Sequence, residues 1–243
     1  MAEIRTKPIT IITVGSVIVV SVAVLVVFFI TIQQNKVQKD EALDIEKPSA
    51  KNFFQLWNPA LFEEKLVNAK EVCMIATANE NLIASINETL KEVIRRGGKI
   101  KCIYAKPESN AVAMSANQGY GPDRKIDTIN IQIKSSLKTM QDIASVSTNN
   151  DSVQVKCIDH LFSSVISMID HDKPDGTIFV TLNGFCHHFS KRPHFILSKK
   201  KDGEIYSFFQ EIFENMWKAD NCELLDLTKE IQGLVLISAK GHG

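Results

Sequence analysis

Residues 71–105 read EVCMIATANENLIASINETLKEVIRRGGKIKCIYA, and their pattern decides the fold class. The apolar runs EVCMIAT and KIKCIYA at the two ends are each typical of a buried strand. Between Asn79 and Arg96, apolar residues recur every three or four positions, which predicts a helix that Gly97 and Gly98 end. A strand, a helix and a strand within 35 residues predict a βαβ unit with two parallel strands.

The segments after this unit continue the α/β pattern. Pro, Ser, Asn and Gly make 106–122 a predicted loop, and the apolar spacing of 123–145 predicts a second amphipathic helix. Four apolar runs then have the length and composition of strands, and the second and third are predicted to pair as an antiparallel hairpin. These runs are 152–158, 162–169, 177–182 and 194–198. We therefore predict an α/β domain built on one mixed sheet.

The segment 204–218 is predicted to be the closing helix of the domain. Its large apolar residues recur at spacings of three and four and form one broad stripe, which is more typical of a core face than of an exposed surface. These residues are Phe208, Phe209, Ile212, Phe213, Met216 and Trp217.

Residues 9–32, ITIITVGSVIVVSVAVLVVFFITI, contain no charge in 24 positions. As a helix at ~1.5 Å per residue this segment is about 36 Å long, enough to cross a hydrocarbon core of roughly 30 Å. The run is about twice as long as a signal-peptide core and no A-x-A-like cleavage site follows it, so we predict an uncleaved signal anchor. The predicted organisation is an N-terminal flank (1–8), a transmembrane helix (9–32), a linker (33–51) and the α/β domain (52–243).

The charges near the ends of this apolar segment favour a cytoplasmic domain. Two basic residues flank each end closely, and Lys47 and Lys51 add to the C-terminal side. The five cysteines point the same way, because an odd number with Cys73, Cys102 and Cys157 inside predicted strands is unlike a secreted disulfide framework. We therefore predict a single-pass membrane protein whose soluble domain faces the cytoplasm.

The charge balance bears on the class of partner. Lysine plus arginine and aspartate plus glutamate both total 28, so the formal net charge is zero. Binding to a phosphate backbone usually shows as a strong basic excess, and the sequence carries no strong signal for a duplex nucleic-acid partner. Local basic patches at 95–101 and 191–201 are better interpreted as solvated surface than as anion sites.

The segment NPALFEEKLVNAKEVCMIAT, followed by a helix ending in LKEVIRRGGKIKCIYA, resembles the opening of phospholipase D-like domains, and EIYSFFQEIFENMWKAD resembles their final helix. The resemblance implies a phospholipase D-like α/β/α sandwich with a mixed sheet. It also implies that two such units pair, and we predict a homodimer. Catalysis in that family uses H-x-K-x4-D, in which the histidine attacks phosphorus, the lysine stabilises the phosphoryl oxygens and the aspartate orients its partner.

This sequence departs from the family motif. His160 begins the corresponding segment, HLFSSVIS, but Phe162 stands in the lysine position and Ser167 in the aspartate position. We therefore predict a catalytically inactive domain, a pseudoenzyme that binds a ligand or partner as a sensor or regulatory module. The resemblance implies a phosphorylated or nucleotide-like ligand, and no cofactor is predicted.

The predicted ligand site surrounds His160, which is also the candidate catalytic residue. Its members are His160, Asn183, His187, His188, Lys191 and Arg192. The alternative function is a membrane-anchored dimeric phosphodiesterase or nuclease in which His187 or His188 assists His160. A third hypothesis is a scaffold whose work is done by the membrane span itself.

Thiol and imidazole groups cluster in and near the same loop. Zinc needs three or four converging ligands with second-shell support, and the spacing here matches no zinc finger or HExxH pattern. We therefore predict no metal site and interpret the cluster as a surface loop. Its members are Cys186, His187, His188 and His194, with His171 as a further candidate.

Overall fold

The computed structural model describes residues 53–55, 57–118, 125–185 and 191–227, and all of them belong to one structural unit. The predicted flank, anchor and linker (1–51) lie outside these ranges, so what the sequence says of them stays a prediction. Within the described ranges, no helix is both long enough and apolar enough to span a membrane.

The described strands form one mixed sheet. They are β1 (Glu71–Ala76), β2 (Lys99–Ala105), β3 (Val153–Ile158), β4 (Ser164–Ile169), β5 (Thr177–Leu182), β6 (His194–Ser198) and β7 (Cys222–Leu224). Their order across the sheet is β6-β5-β4-β1-β2-β3-β7. The strands β1, β2 and β3 run parallel, and every other neighbouring pair is antiparallel. The predicted mixed α/β fold, the parallel β1–β2 pair and the β4–β5 hairpin are confirmed.

Six helices accompany the sheet in the described part of the chain. They are α1 (Pro59–Leu66), α2 (Glu80–Ser85), α3 (Asn87–Arg95), α4 (Asn110–Gln118), α5 (Ile126–Ala144) and α6 (Lys199–Lys218). Two predictions differ from this order. The single helix expected at 79–96 is two helices that meet at Ile86, and the loop expected at 106–122 contains α4.

Helices lie on both faces of the sheet. Successive residues of a strand point to opposite faces. On β2, the Sγ of Cys102 lies 3.9 Å from the Sδ of Met140 on α5, whereas the ammonium of the preceding residue, Lys101, lies 6.0 Å from the ring of Trp217 on α6. The helices α5 and α6 therefore cover opposite faces, and the main core is buried between them and the sheet.

The turn from α3 into β2 requires two glycines. Gly97 has a φ of 79°, in the left-handed region that ends many helices and that residues with a Cβ rarely adopt. A Cβ on Gly98 would lie 2.6 Å from Cγ1 of Val93, so this close approach of backbone and helix leaves no room for a side chain. The pair sets where β2 begins beside β1.

The closing helix α6 only partly covers the core. The chain kinks at Asp202 and Gly203, near the start of the helix. Phe213 is 3 % exposed, but Phe208 is 57 % exposed, so the expectation that the whole apolar stripe lies in the core is wrong for Phe208. The helix therefore buries one side of this stripe and leaves the other side at the surface.

Candidate functional site

The carboxyl ends of β1, β2 and β3 meet at one edge of the sheet, which we call the carboxyl edge. β4 starts at this same edge, because it is antiparallel to β1. His160 lies in the connection between β3 and β4 and is exposed there. In open α/β sheets, ligands usually bind outside the carboxyl ends of the strands, so His160 is placed where a ligand could reach it.

The residues at the other two positions that correspond to the family motif are buried, in contrast to His160. Phe162 is 3 % exposed, with its ring 5.9 Å from the His160 ring. Ser167 is 2 % exposed in the middle of β4, opposite Met74 of β1. A cationic or acidic group is therefore absent from both positions, and their side chains are part of the packed sheet.

Asn183 forms hydrogen bonds that join three segments at the carboxyl edge. Its backbone N–H donates to the carbonyl of Ser163 at 2.8 Å, and its side-chain Nδ2 donates to the carbonyl of Phe162 at 2.9 Å. Its Oδ1 accepts a hydrogen bond of 2.6 Å from Nη1 of Arg192. One side chain therefore joins the end of β5, the start of β4 and the segment that leads into β6.

Three of the four described members of the predicted site, His160, Asn183 and Arg192, are linked by these contacts. A continuous series of contacts runs from His160 through Phe162 and Asn183 to Arg192. Lys191 precedes Arg192 and is exposed. The remaining predicted members, His187 and His188, lie outside the described residues, as does Cys186.

Helix α4, which the sequence analysis missed, also borders the carboxyl edge. The Oδ1 of Asp159 accepts a hydrogen bond of 2.8 Å from the backbone N–H of Ala111, in the first turn of α4. Asp159 immediately precedes His160, so this bond fixes the chain just before the exposed imidazole. The signal that could have revealed the helix was an Asp able to accept from a helix N-terminus.

His194 is buried in the core. It is 1 % exposed, and its Nδ1 lies 3.1 Å from Oγ1 of Thr181. Its Nε2 has no hydrogen-bond partner. Burial lowers the pKa of His194, which favours the neutral imidazole.

The two described histidines of the predicted thiol–imidazole cluster lie in different parts of the sheet. His194 pairs with Thr181 near the end of β5, whereas His171 follows the last residue of β4, Ile169, at the other edge. His171 lies instead beside Glu71, Cys73 and Asp172. Sequence spacing did not reveal this grouping because β4 pairs with β1 across about a hundred positions of chain.

No family model matches the chain, and no curated protein matches it. A solved structure of TrmBL2, described as an archaeal chromatin protein with a novel mode of DNA binding, matches with a TM-score of 0.44 and 15% sequence identity. The match covers 92% of this chain and 76% of that one.

This neighbour corrects the predicted set of partners. A membrane, a phosphorylated or nucleotide-like ligand and a homodimer were expected, with no strong signal for duplex nucleic acid, and the neighbour is a DNA-binding protein. The predicted set of partners is not proposed again. DNA binding is a property of TrmBL2, and a likeness at this TM-score carries no argument about what the present chain binds.

Proposed function

We propose that this chain is a binding module: a phospholipase D-like domain that holds a ligand at its carboxyl edge and does not hydrolyse it. The observation that carries the proposal is the placement of Phe162 and Ser167. Both side chains are buried, in the positions where the family has its lysine and aspartate. Without those two groups, His160 has neither the phosphoryl-stabilising cation nor the orienting carboxylate that the reaction needs.

The charge at the carboxyl edge supports an anionic ligand. Arg192 bonds to Asn183, the exposed Lys191 precedes Arg192 in the chain, and the exposed imidazole of His160 adds a further polar group. Asp159, which precedes His160 in the chain, accepts a hydrogen bond from the backbone of α4. The planar guanidinium of arginine matches a carboxylate in shape and charge, so we propose a small carboxylate-bearing molecule as the ligand class.

Calorimetric titration of the purified full chain with citrate, a compact tricarboxylate, tests this proposal. We expect binding in the wild type and in Arg96→Met, and its loss in Arg192→Met. Arg96 is the matched control, because it is an exposed arginine at the end of α3 and loses the same charge. Arg192→Lys keeps the charge without the planar fork and should retain weaker binding. Absence of citrate binding, or equal binding by Arg192→Met, would contradict the proposal.

A further inference from the structure

Three side chains with different donor atoms meet where β1 begins, at the edge of the sheet opposite to the carboxyl edge. Glu71 and Cys73 are two residues apart on β1 and therefore point to the same face. His171 comes from the turn after β4. Its Nδ1 lies 3.6 Å from Oε2 of Glu71 and 3.9 Å from Sγ of Cys73.

The distances suit coordination of one ion. The carboxylate, thiol and imidazole donor atoms all lie within 4.8 Å of one another. A zinc ion about 2.0–2.3 Å from each donor holds neighbouring donors about 3.3–3.8 Å apart in a tetrahedral arrangement. The two measured separations, 3.6 and 3.9 Å, need only small side-chain movements to meet that geometry.

The type of ion follows from the donor set. Sulfur and imidazole nitrogen favour zinc and its first-row neighbours over magnesium and calcium, which prefer oxygen ligands alone. Cys73 is fully buried and His171 is 5 % exposed, so little water competes for their donor atoms. Glu71 is more exposed, with 21% of its side chain accessible, and gives the site its contact with solvent.

Polar groups lie close to both the ring and the backbone of His171. The second ring nitrogen, Nε2, lies 3.7 Å from Oδ1 of Asp172, as in the carboxylate–histidine–metal arrangements that orient metal ligands. Nε2 of Gln210 on α6 donates to that same Oδ1 at 3.1 Å. The backbone carbonyl of His171 accepts from the hydroxyl of Tyr206 at 3.0 Å and from Nζ of Lys199 at 3.2 Å.

The ammonium of Lys101 would repel a metal ion bound to Glu71, but its position limits this repulsion. Nζ of Lys101 lies 2.9 Å from Oε1 of Glu71. That contact uses the carboxylate oxygen that does not face His171, so Oε2 remains directed at the imidazole. Lys101 also lies 6.0 Å from the ring of Trp217, which gives the ammonium a second favourable contact away from the site.

We propose that Glu71, Cys73 and His171 form a binding site for a divalent first-row transition metal, with zinc as the best match to the donor set. Binding replaces the S–H bond of Cys73 with a sulfur–metal bond and releases the proton to solvent. The ion would fasten the beginning of β1 to the turn after β4, and it is independent of the ligand proposed at the carboxyl edge.

Cobalt(II) titration of the purified full chain, after chelator treatment, tests the site directly. We expect saturation at one equivalent, with thiolate-to-cobalt charge-transfer absorption in the near ultraviolet and a higher melting temperature. Cys73→Ala should abolish the absorption. Cys102→Ala is the matched control, because Cys102 is an equally buried strand cysteine that contacts Met140 on the opposite face, and it should keep the absorption.

Two further variants test the contributions of Asp172 and Glu71 to metal binding. Asp172→Asn leaves the three ligands intact and should weaken cobalt binding about 10–100-fold. Glu71→Gln serves as a second ligand variant if Cys73→Ala fails to fold, and it should also lower the affinity. The proposal is overturned if the wild type binds no cobalt, or if the charge-transfer band persists in folded Cys73→Ala. A band that disappears only with Cys186→Ala would make Cys186 the metal ligand and would overturn the proposal equally.

Discussion

The side-chain Nδ2 of Asn183 donates a hydrogen bond of 2.9 Å to the backbone carbonyl of Phe162. This bond joins the end of β5 to the connection between β3 and β4, which also contains His160. It keeps the Phe162 backbone at the carboxyl edge while the Phe162 ring is buried. The same amide accepts a hydrogen bond from Arg192, so one residue contacts both the Phe162 backbone and a cationic side chain.

Replacing Asn183 by alanine should destabilise the domain. The change leaves the carbonyl of Phe162 and the guanidinium of Arg192 without their bonds to the amide, and we expect a loss of about 1–3 kcal/mol in the free energy of unfolding. Urea unfolding followed by circular dichroism measures it. Asn117→Ala, at an exposed position on α4, is the control and should not lower stability. A loss below about 0.5 kcal/mol in Asn183→Ala would remove Asn183 from this role.

Folding stability should fall as the pH drops through the histidine range. Burial lowers the pKa of His194 below its usual value of 6.5. The unfolded chain then binds a proton more readily than the folded one, so the contribution of His194 is complete above about pH 6.5 and decreases as the pH falls below it. Urea midpoints at pH 7.5 and 5.5 should differ more in the wild type than in His194→Gln, which cannot titrate. An equal pH dependence in both proteins would refute this assignment.

Asp170 should contribute more to stability than an ordinary surface acid. Its Oδ1 accepts from the backbone N–H groups of Lys70 and Glu71, both at 2.9 Å, and its Oδ2 lies 2.7 Å from Nζ of Lys173. Its own φ of 49° is in the left-handed region, which asparagine tolerates better than alanine. We expect Asp170→Ala to lower the free energy of unfolding by about 2–3 kcal/mol and Asp170→Asn to lower it less. Chemical denaturation measures both variants. If Asp170→Ala and Asp170→Asn lose the same free energy of unfolding, neither the positive φ nor the side-chain amide of asparagine affects stability at this position.

The buried cysteines should be unreactive in the native protein. All four that the structure describes are free thiols, and burial raises the pKa of Cys102 to about 12. A thiol-specific reagent should therefore label few groups until denaturant is added, because the thiolate is the reactive form. After unfolding without reductant and with chelator present, mass spectrometry should count all five cysteines of the chain. A count of three or one would mean disulfides, against the cysteine pattern expected in a reducing compartment.

Sequence periodicity is sufficient to predict the helices and strands that carry large apolar residues. The βαβ unit and the β4–β5 hairpin follow from runs such as EVCMIAT and TIFVTL. Helix α4 was missed because its buried residues are mostly small (Ala111, Val112 and Ser115), so it has no strong apolar stripe. Phe208 was assigned to the core because a helical pattern shows which residues share a face but not how much of that face is covered.

The candidate sites were only partly predictable for a topological reason. Asn183, Lys191 and Arg192 could be grouped with one another because they lie in one polar segment between the predicted strands 177–182 and 194–198. The grouping of His171 with Glu71 and Cys73 depends on β4 lying beside β1 in the sheet. Sequence patterns predict that strands close in the chain pair with each other. They do not predict that β4 pairs with β1, which is far from it in the chain.

The central claim is that the domain binds a ligand without hydrolysing phosphodiesters, and turnover is its most direct test. The measurement is the rate of p-nitrophenolate release from bis(p-nitrophenyl) phosphate by the purified full chain, compared with His160→Ala. Because Phe162 and Ser167 are buried in the positions of the family's lysine and aspartate, we predict no rate above the buffer blank for either protein. Clear turnover by the wild type that disappears in His160→Ala would contradict the proposed function.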